Sequence, residues 1–290
     1  MIAVAGVSGH TGRAVADTLL RQHLPVRVVV RDANKGAEWK SRGAEIAVAS
    51  LNDAASLTRA LTGADAAYLL IPPVYAVEDV LAKQAETRDA IVRAVIDSRV
   101  GHVVFLSSIG AQHESGTGPI RTLHDAEAAL KQVATPMTLL RAPYFLDNWA
   151  AVLPVVASQN LLPSFIPLDQ EIETAATADI GEHAAGLLAA TPPPALRIVE
   201  FGGPRKLSPR DVARDLSALV GRQIAPAQAP LDQVVPTFTG AGLSQNAARL
   251  FEEMFDAFAR GRLEFEGPGA PHARGLRTPA DVFGPMLATS

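Results

Sequence analysis

The chain has 290 residues, a net charge of −4 at neutral pH and no cysteine, which excludes disulfides, thiolate catalysis and cysteine-ligated metals. Hydrophobic residues make up 48%, ample for a core, yet no run approaches the roughly 20 apolar residues of a membrane span and no basic, cleavable leader opens the chain. Basic residues are scattered and form no nucleic-acid patch, so the expectation is a soluble, cytoplasmic protein that handles a small molecule without membrane, direct nucleic acid or metal.

Met1-Ile2-Ala3-Val4-Ala5 reads as a buried first strand that runs into Gly6-Val7-Ser8-Gly9-His10-Thr11-Gly12 and then a helix with apolar positions 15, 16, 19 and 20. Three glycines between a strand and a helix make a dinucleotide turn. Gly6 supplies the tight turn, Gly9 the bare backbone beside a pyrophosphate and Gly12 the close helix-to-sheet packing, with Ser8, His10 and Thr11 lining the loop. The helix directs free N–H groups and its positive dipole end at the phosphates. Val26 to Val30 forms the second strand, and Arg31 ends it. An acid about 20 residues past the glycines would take the 2′-hydroxyl of NAD, whereas an arginine suits the 2′-phosphate of NADP. Arg31 with Lys35 favours NADPH over NADH; Asp32, immediately after, points the other way.

Further strands are expected at 44–48, 66–71, 102–106 and 136–140, linked by helices near 34–42, 53–62, 79–98 and 121–134. This alternation predicts right-handed crossovers and a Rossmann-type, doubly wound parallel α/β sheet over residues 1–142. Ligands of such sheets bind outside the carboxyl ends of the strands. That places Ile71 and Pro72, and Ser107 and Ser108, beside the cofactor. Past residue 142 prolines become frequent, at 143, 154, 163 and 167, which predicts a smaller α+β substrate lobe over 143–290, with the stretch from about 172 to 201 returning to the core. In it, 172–176 and 196–201 read as strands, and 179–183 opens a helix. Ser208-Pro209-Arg210-Asp211 starts another. Residues 244–260 form an amphipathic helix whose Phe251, Phe255 and Phe258 pack the lobe. Gly267-Pro268-Gly269-Ala270-Pro271 reads as an exposed loop.

Taken together these residues resemble the NmrA-like branch of the atypical short-chain dehydrogenases. The branch carries a GxxGxxG turn, an arginine after the second strand, Ser-Ser-x-Gly-Ala after the fifth and Thr-x-x-Arg followed by Asn after the sixth. Here stand Ser107-Ser108-Ile109-Gly110-Ala111 and Thr138-Leu139-Leu140-Arg141 through Asn148, with Thr177-Ala178-Asp179-Ile180-Gly181 and Arg277-Thr278-Pro279 resembling its second lobe. The resemblance implies an NAD(P)-binding, quinone-reductase-like protein in which Pro143, Tyr144 and Phe145 lie along the cofactor, and Tyr144, Phe145 and Asn148 wall the acceptor pocket. Relatives often carry Gly-Asp at the adenine; here Ala49-Ser50-Leu51-Asn52-Asp53 leaves only a serine hydroxyl.

No Tyr-x-x-x-Lys pair is present, because Pro72, Asp79 and Asn148 follow Tyr68, Tyr75 and Tyr144 by four. His124, near the place where relatives carry a lysine or histidine, is the candidate proton donor. Three functions therefore stay open. The first is an NADPH-dependent oxidoreductase passing hydride to a small quinone or carbonyl-type acceptor, which can draw protons from water. A second is a non-catalytic NAD(P)-binding redox sensor of the NmrA type with a regulatory protein partner, and a third, epimerase or lyase chemistry, lacks an acid/base pair. A homodimer is left open.

Overall fold

The computed structural model describes residues 1–267 and 272–288; the loop expected at Gly267–Pro271 lies, beyond Gly267, outside the described residues. The first half alternates strand and helix: β1 (Ile2–Val4), α1 (His10–Arg21), β2 (Val26–Val30), α2 (Ala37–Ser41), β3 (Glu45–Val48), α3 (Ala54–Leu61), β4 (Ala66–Leu69), α4 (Val80–Ser98), β5 (Val103–Ser108), α5 (Arg121–Leu130) and β6 (Met137–Ala142). Then follow β7 (Tyr144–Phe145), α6 (Leu153–Gln159), β8 (Leu161–Ser164), β9 (Thr174–Ala175), α7 (Thr177–Ala189), β10 (Leu196–Gly202), α8 (Pro209–Val220), β11 (Ala225–Gln228), α9 (Val234–Gly240), α10 (Gln245–Ala259), β12 (Ala273–Arg274) and α11 (Pro279–Ala288).

Among the described residues eight strands form one parallel sheet in the order β12-β10-β6-β5-β4-β1-β2-β3. Strands buried on both faces read as continuous apolar runs, as Val26–Val30 and Val103–Leu106 do. One apolar core lies between the sheet and α1 and α7, around Val15, Leu19, Val104 and Ile180. A second lies under α3, α4 and α5, around Leu57, Ile91, Phe105 and Leu130. The order reverses between β1 and β4, so the chain leaves these two strands in opposite directions and opens a crevice at their carboxyl ends. Above β6 and β10 a third core, with Trp149, Val156, Leu216, Phe255 and Phe258, holds the second lobe together. No helix among the described residues is long and apolar enough to cross a membrane.

Several boundaries differ from the sequence expectation for local reasons. The helix expected at 34–42 is a 3₁₀ turn over Ala33–Gly36, capped by Asp32, followed by α2; at Gly36 the chain lies hard against Ile46, where only glycine fits. α5 ends at Leu130, ahead of Pro136, which requires extended backbone before it. α7 begins two residues before Asp179, since the Asp147 carboxylate accepts from both the Thr177 amide (2.8 Å) and its hydroxyl (2.6 Å). The strand expected at 172–176 is only Thr174–Ala175 paired to β7, with Ile172 bridging Leu207 outside the main sheet. The cap at Ser208 forms as read, with Asp211 completing a reciprocal capping box.

At the opposite edge of the sheet from the crevice, His102 enters β5 fully buried. Its Nε2 lies 3.1 Å from the Thr138 hydroxyl oxygen, which also accepts from Arg197 at 3.1 Å. Burial, reinforced by the Arg197 charge, pushes the imidazole down to about 4, below the ordinary value of about 6.5. Above pH ~6.5 both folded and unfolded chains hold it neutral. Below that the unfolded chain takes a proton that the folded chain refuses. The protein should therefore lose up to about 1.4 kcal/mol per pH unit on acidification towards pH ~4 on this account. Urea midpoints measured between pH 7 and 4 should fall less steeply for His102→Gln than for the parent; equal slopes would assign the acid sensitivity elsewhere.

Candidate cofactor and acceptor site

Gly6 has φ +71° and its Cα faces Leu70, so a side chain there is excluded by conformation and by space. Gly12 lies on the carbonyl groups of Ala5 and Gly6, and a methyl would overlap both. Gly9 differs: a Cβ there would meet only the Gly6 carbonyl oxygen, at 3.4 Å, and its φ of −101° suits any residue. The bare backbone at Gly9 is thus not required by the protein's own packing. It leaves a cradle that a side chain would fill, as expected of a surface that a pyrophosphate approaches. No side chain caps α1, and its first turn holds no acid, which leaves its leading amides to a ligand. Ser8 and His10 are exposed around this turn and Thr11 is buried in it.

Arg31 and Lys35 project into solvent beyond β2, and neither makes an ion pair among the described residues. Asp32 is committed elsewhere, because its carboxylate accepts from the Asn34 amide (2.9 Å) and caps the turn that carries Lys35. Behind them Trp39 is stacked between Arg13 and Arg42, 5.2 and 4.8 Å from its ring centre, and Glu38 bonds Arg13 through both oxygens. At the end of β3 the Ser50 hydroxyl donates to Asn52, and Leu51, like Ile71 after β4, packs on the core beneath; Pro72 follows, half-buried.

The end of β5 is held by a charged group that the sequence reading did not find. Ser107 donates to Glu127 at 2.6 Å, and Glu127 receives Arg141 through both oxygens at 2.9 and 2.8 Å; all three are buried. Burial pushes the Glu127 carboxyl up, but the Arg141 and Ser107 bonds outweigh it and hold it below the usual carboxylate range. The Ser107 proton is therefore given to Glu127, which leaves its hydroxyl oxygen able only to accept. Ser108 is half-buried and its hydroxyl turns to the Ile109 carbonyl. His124, on the first turn of α5, is half-buried with Nδ1 2.9 Å from the Ala111 carbonyl. A carbonyl only accepts, so Nδ1 carries the proton and neutral His124 presents Nε2 as an acceptor. A signal for the charged group was available: an arginine and a glutamate at positions whose neighbours are all apolar.

After β6, Pro143 is buried, and Tyr144 and Phe145 point to opposite sides as strand residues do. Tyr144 sits edge-on to Trp149 (5.1 Å) and Phe258 (5.6 Å) in the lobe core, while Phe145 packs beneath the sheet. Burial pushes the Tyr144 phenol up to about 12, against a hydrogen bond to exposed Asn148. Burial also raises Tyr68 and Tyr75, so all three phenols hold their protons more tightly than a free tyrosine. Tyr75, from the loop after β4, meets Phe251 edge-on at 5.0 Å and extends a set of half-buried rings through Phe238 and Phe165. Two cavities lie apart from the glycine turn. One of about 230 Å³ is lined by Ile172, Phe258 and Phe265 with Glu171 and Glu264, and one of about 550 Å³ by His183, Phe201 and Arg277.

The sequence profile of the NmrA-like family matches residues 1–270. The chain belongs to the NmrA-like family. Among its relatives, an NAD(P)H azoreductase of Xenophilus azovorans is 27% identical over 256 residues, 88% of this chain and 86% of the relative. Among solved structures, an NADPH-dependent quinone oxidoreductase of Escherichia coli bound to NADPH has a TM-score of 0.78 at 21% identity, covering 91% of this chain and 90% of the other. A triphenylmethane reductase of Citrobacter sp. bound to NADP(H) has a TM-score of 0.81 at 18% identity, covering 98% and 99%. The fold of this NmrA-like chain is accordingly that of the two reductases.

The unequal surroundings of the glycines give an expected contrast. Gly9→Ala should melt close to the parent temperature while losing measurable dinucleotide binding. Gly12→Ala should cost about 1–3 kcal/mol of stability, because the helix must move off the turn. Calorimetric titration with NADPH, paired with a thermal melt, separates the two; a Gly9→Ala protein with unchanged affinity would remove this turn from the site.

Proposed function

We propose that this chain is an NAD(P)H-dependent reductase that prefers NADPH and passes hydride to a small, flat quinone or carbonyl-type acceptor. The observation that carries the reading is the glycine cradle at Gly9 with Arg31 and Lys35 exposed beside it. The commitment of Asp32 to the Asn34 amide supports the NADPH preference, because the carboxylate that would favour a 2′-hydroxyl is turned onto the backbone. The names of the relatives, which act on azo, quinone and dye acceptors, support the acceptor class.

In this reading the turn from Gly6 to Gly12 holds the pyrophosphate, and Arg31 and Lys35 the 2′-phosphate. Ser50 and Leu51 flank the adenine; Ile71, Pro72 and Ser108 line the path to the ring. Pro143, Tyr144, Phe145 and Asn148 stand between ring and acceptor, and the aromatic lobe supplies flat faces against which an acceptor stacks. Bound NADPH supplies a hydride from its nicotinamide. His124 can orient a hydrogen-bearing acceptor through Nε2 when neutral, and can donate a proton there only as the imidazolium, since its Nδ1 proton is already given to Ala111. With all three phenols holding their protons more tightly than a free tyrosine, acceptors whose reduced form takes its protons from water fit the site best.

Arg31→Ala should weaken NADPH at least tenfold, the scale of a lost charge-assisted phosphate contact, and NADH less than twofold. Equal losses for the two cofactors would overturn the 2′-phosphate role. Purified protein offered a panel of quinones and aromatic carbonyls, with binding followed in the same samples, should oxidise NADPH with at least one of them. Tight binding with no turnover on any would replace the reductase by a cofactor sensor.

A further inference from the structure

The loop after β4, residues 72–79, leaves the sheet on the crevice side of the strand-order reversal and ends where α4 begins. At its start Leu70 touches Gly6 of the phosphate turn. Its far end is fastened to the second lobe. Asn246, on the first turn of α10, accepts the Val80 amide through Oδ1 at 3.1 Å across 166 residues of sequence. The Ser244 amide donates to the Tyr75 carbonyl at 2.8 Å, and the Tyr75 ring meets Phe251 of the same helix.

The first amides of a helix have no partner within it. In α4 the Asp79 side chain serves only the Ala82 amide (2.9 Å), so the Val80 amide depends on a group from elsewhere. Asn246 provides it. Because the loop is pinned by Leu70 at one end and Val80 at the other, the position of its backbone over the crevice is set from the second lobe.

We infer that Asn246 is a positioning residue for the dinucleotide, holding the 72–79 loop against the cofactor by capping α4 from the acceptor lobe. The inference rests on the proposed cofactor reading. It makes cofactor affinity a property of both lobes, although Asn246 itself is exposed and touches no part of the glycine turn.

The test compares the parent, Asn246→Ala, Asn246→Asp and the exposed neighbour Gln245→Ala. NADPH dissociation constants are taken by calorimetry, amide exchange over residues 73–82 by mass spectrometry and thermal melts on all four proteins. Asn246→Ala should bind NADPH several-fold more weakly, with about tenfold as the ceiling that one net hydrogen bond sets, and should exchange its Val80 amide faster. Its KM for the acceptor should be unchanged. Asn246→Asp keeps the accepting oxygen and places a negative charge at a helix N-terminus, so it should restore both readouts; Gln245→Ala should match the parent. Parent-like affinity in Asn246→Ala, or failure of Asn246→Asp to restore it, would overturn the positioning role. A parent protein that binds no NADPH would instead overturn the cofactor reading itself, before any variant is compared.

Discussion

A guanidinium that is almost wholly buried must be paired, and the arrangement of this molecule around the ends of β5, β6 and β10 follows from how Arg141 is paired. Its two bonds to Glu127 fix α5 against the sheet, and the third guanidinium contact reaches Glu266 at 2.6 Å in the segment that returns from α10. Burial works against the charge of Arg141, yet Glu127 and Glu266 hold it more firmly protonated than a free arginine. Glu200 of β10 closes the group by accepting the Glu266 amide at 2.7 Å. Without Glu127 the buried guanidinium would keep Glu266, and without Arg141 the buried Glu127 carboxylate would keep Lys131 and Ser107, so either removal destabilises by less than the roughly 3–5 kcal/mol of a wholly uncompensated buried charge. The same group takes the proton of the Ser107 hydroxyl and so ties the end of β5 to α5.

The nucleotide end of the sheet is organised by close approach rather than by charge. Gly12 lets α1 descend onto the turn after β1, and Gly181 lets α7 pack on the first turn of α1, where a side chain would collide with Ala14 and the Thr11 carbonyl. Helix α1 is therefore clamped from beneath and from its flank. The clamp continues outward: Asp179 and Glu182 of α7 both pair with Arg277, just before α11. A helix whose free amides are to receive an anion without rearranging gains from this rigidity, because little ordering remains to be done on binding.

What was legible in the sequence was what local chemistry dictates. Periodicity placed the strands and most of the helices, the spacing of Gly6, Gly9 and Gly12 placed the turn, and Ser208 to Asp211 announced its own capping box. Boundaries failed where a distant residue decided them, as where Asp147 starts α7 early. Among the candidate site residues, the sequence could place Arg31 but not say whether Asp32 competed with it, since that depends on which backbone amide the carboxylate finds. Asn246 carried no signal at all. An exposed asparagine in the first turn of an amphipathic helix looks like any solvent-facing residue until the fold brings α4 beside it.

Cofactor-facing and acceptor-facing chemistry are separated in this chain by residue type. The glycine turn is bare backbone with uncapped helix amides, and Arg31 and Lys35, exposed after β2, make no ion pair among the described residues, which suits a phosphorylated ligand. The second lobe gathers Tyr75, Phe165, Phe238, Phe251 and Phe255 as half-buried or buried rings around one another, a surface with apolar faces and few directional bonds. Such a surface discriminates by shape and not by hydrogen-bond pattern, because one methylene more or less changes affinity only about 10- to 200-fold. If the chain is the reductase proposed above, its tightly held phenol protons and His124 anchored through Nδ1 give it little means of enforcing a particular reduced product. Under that reading acceptor range is set by which flat molecules reach the ring, and the lobe, tied to the loop after β4 through Tyr75 and α10, is where a change of residue would alter that range.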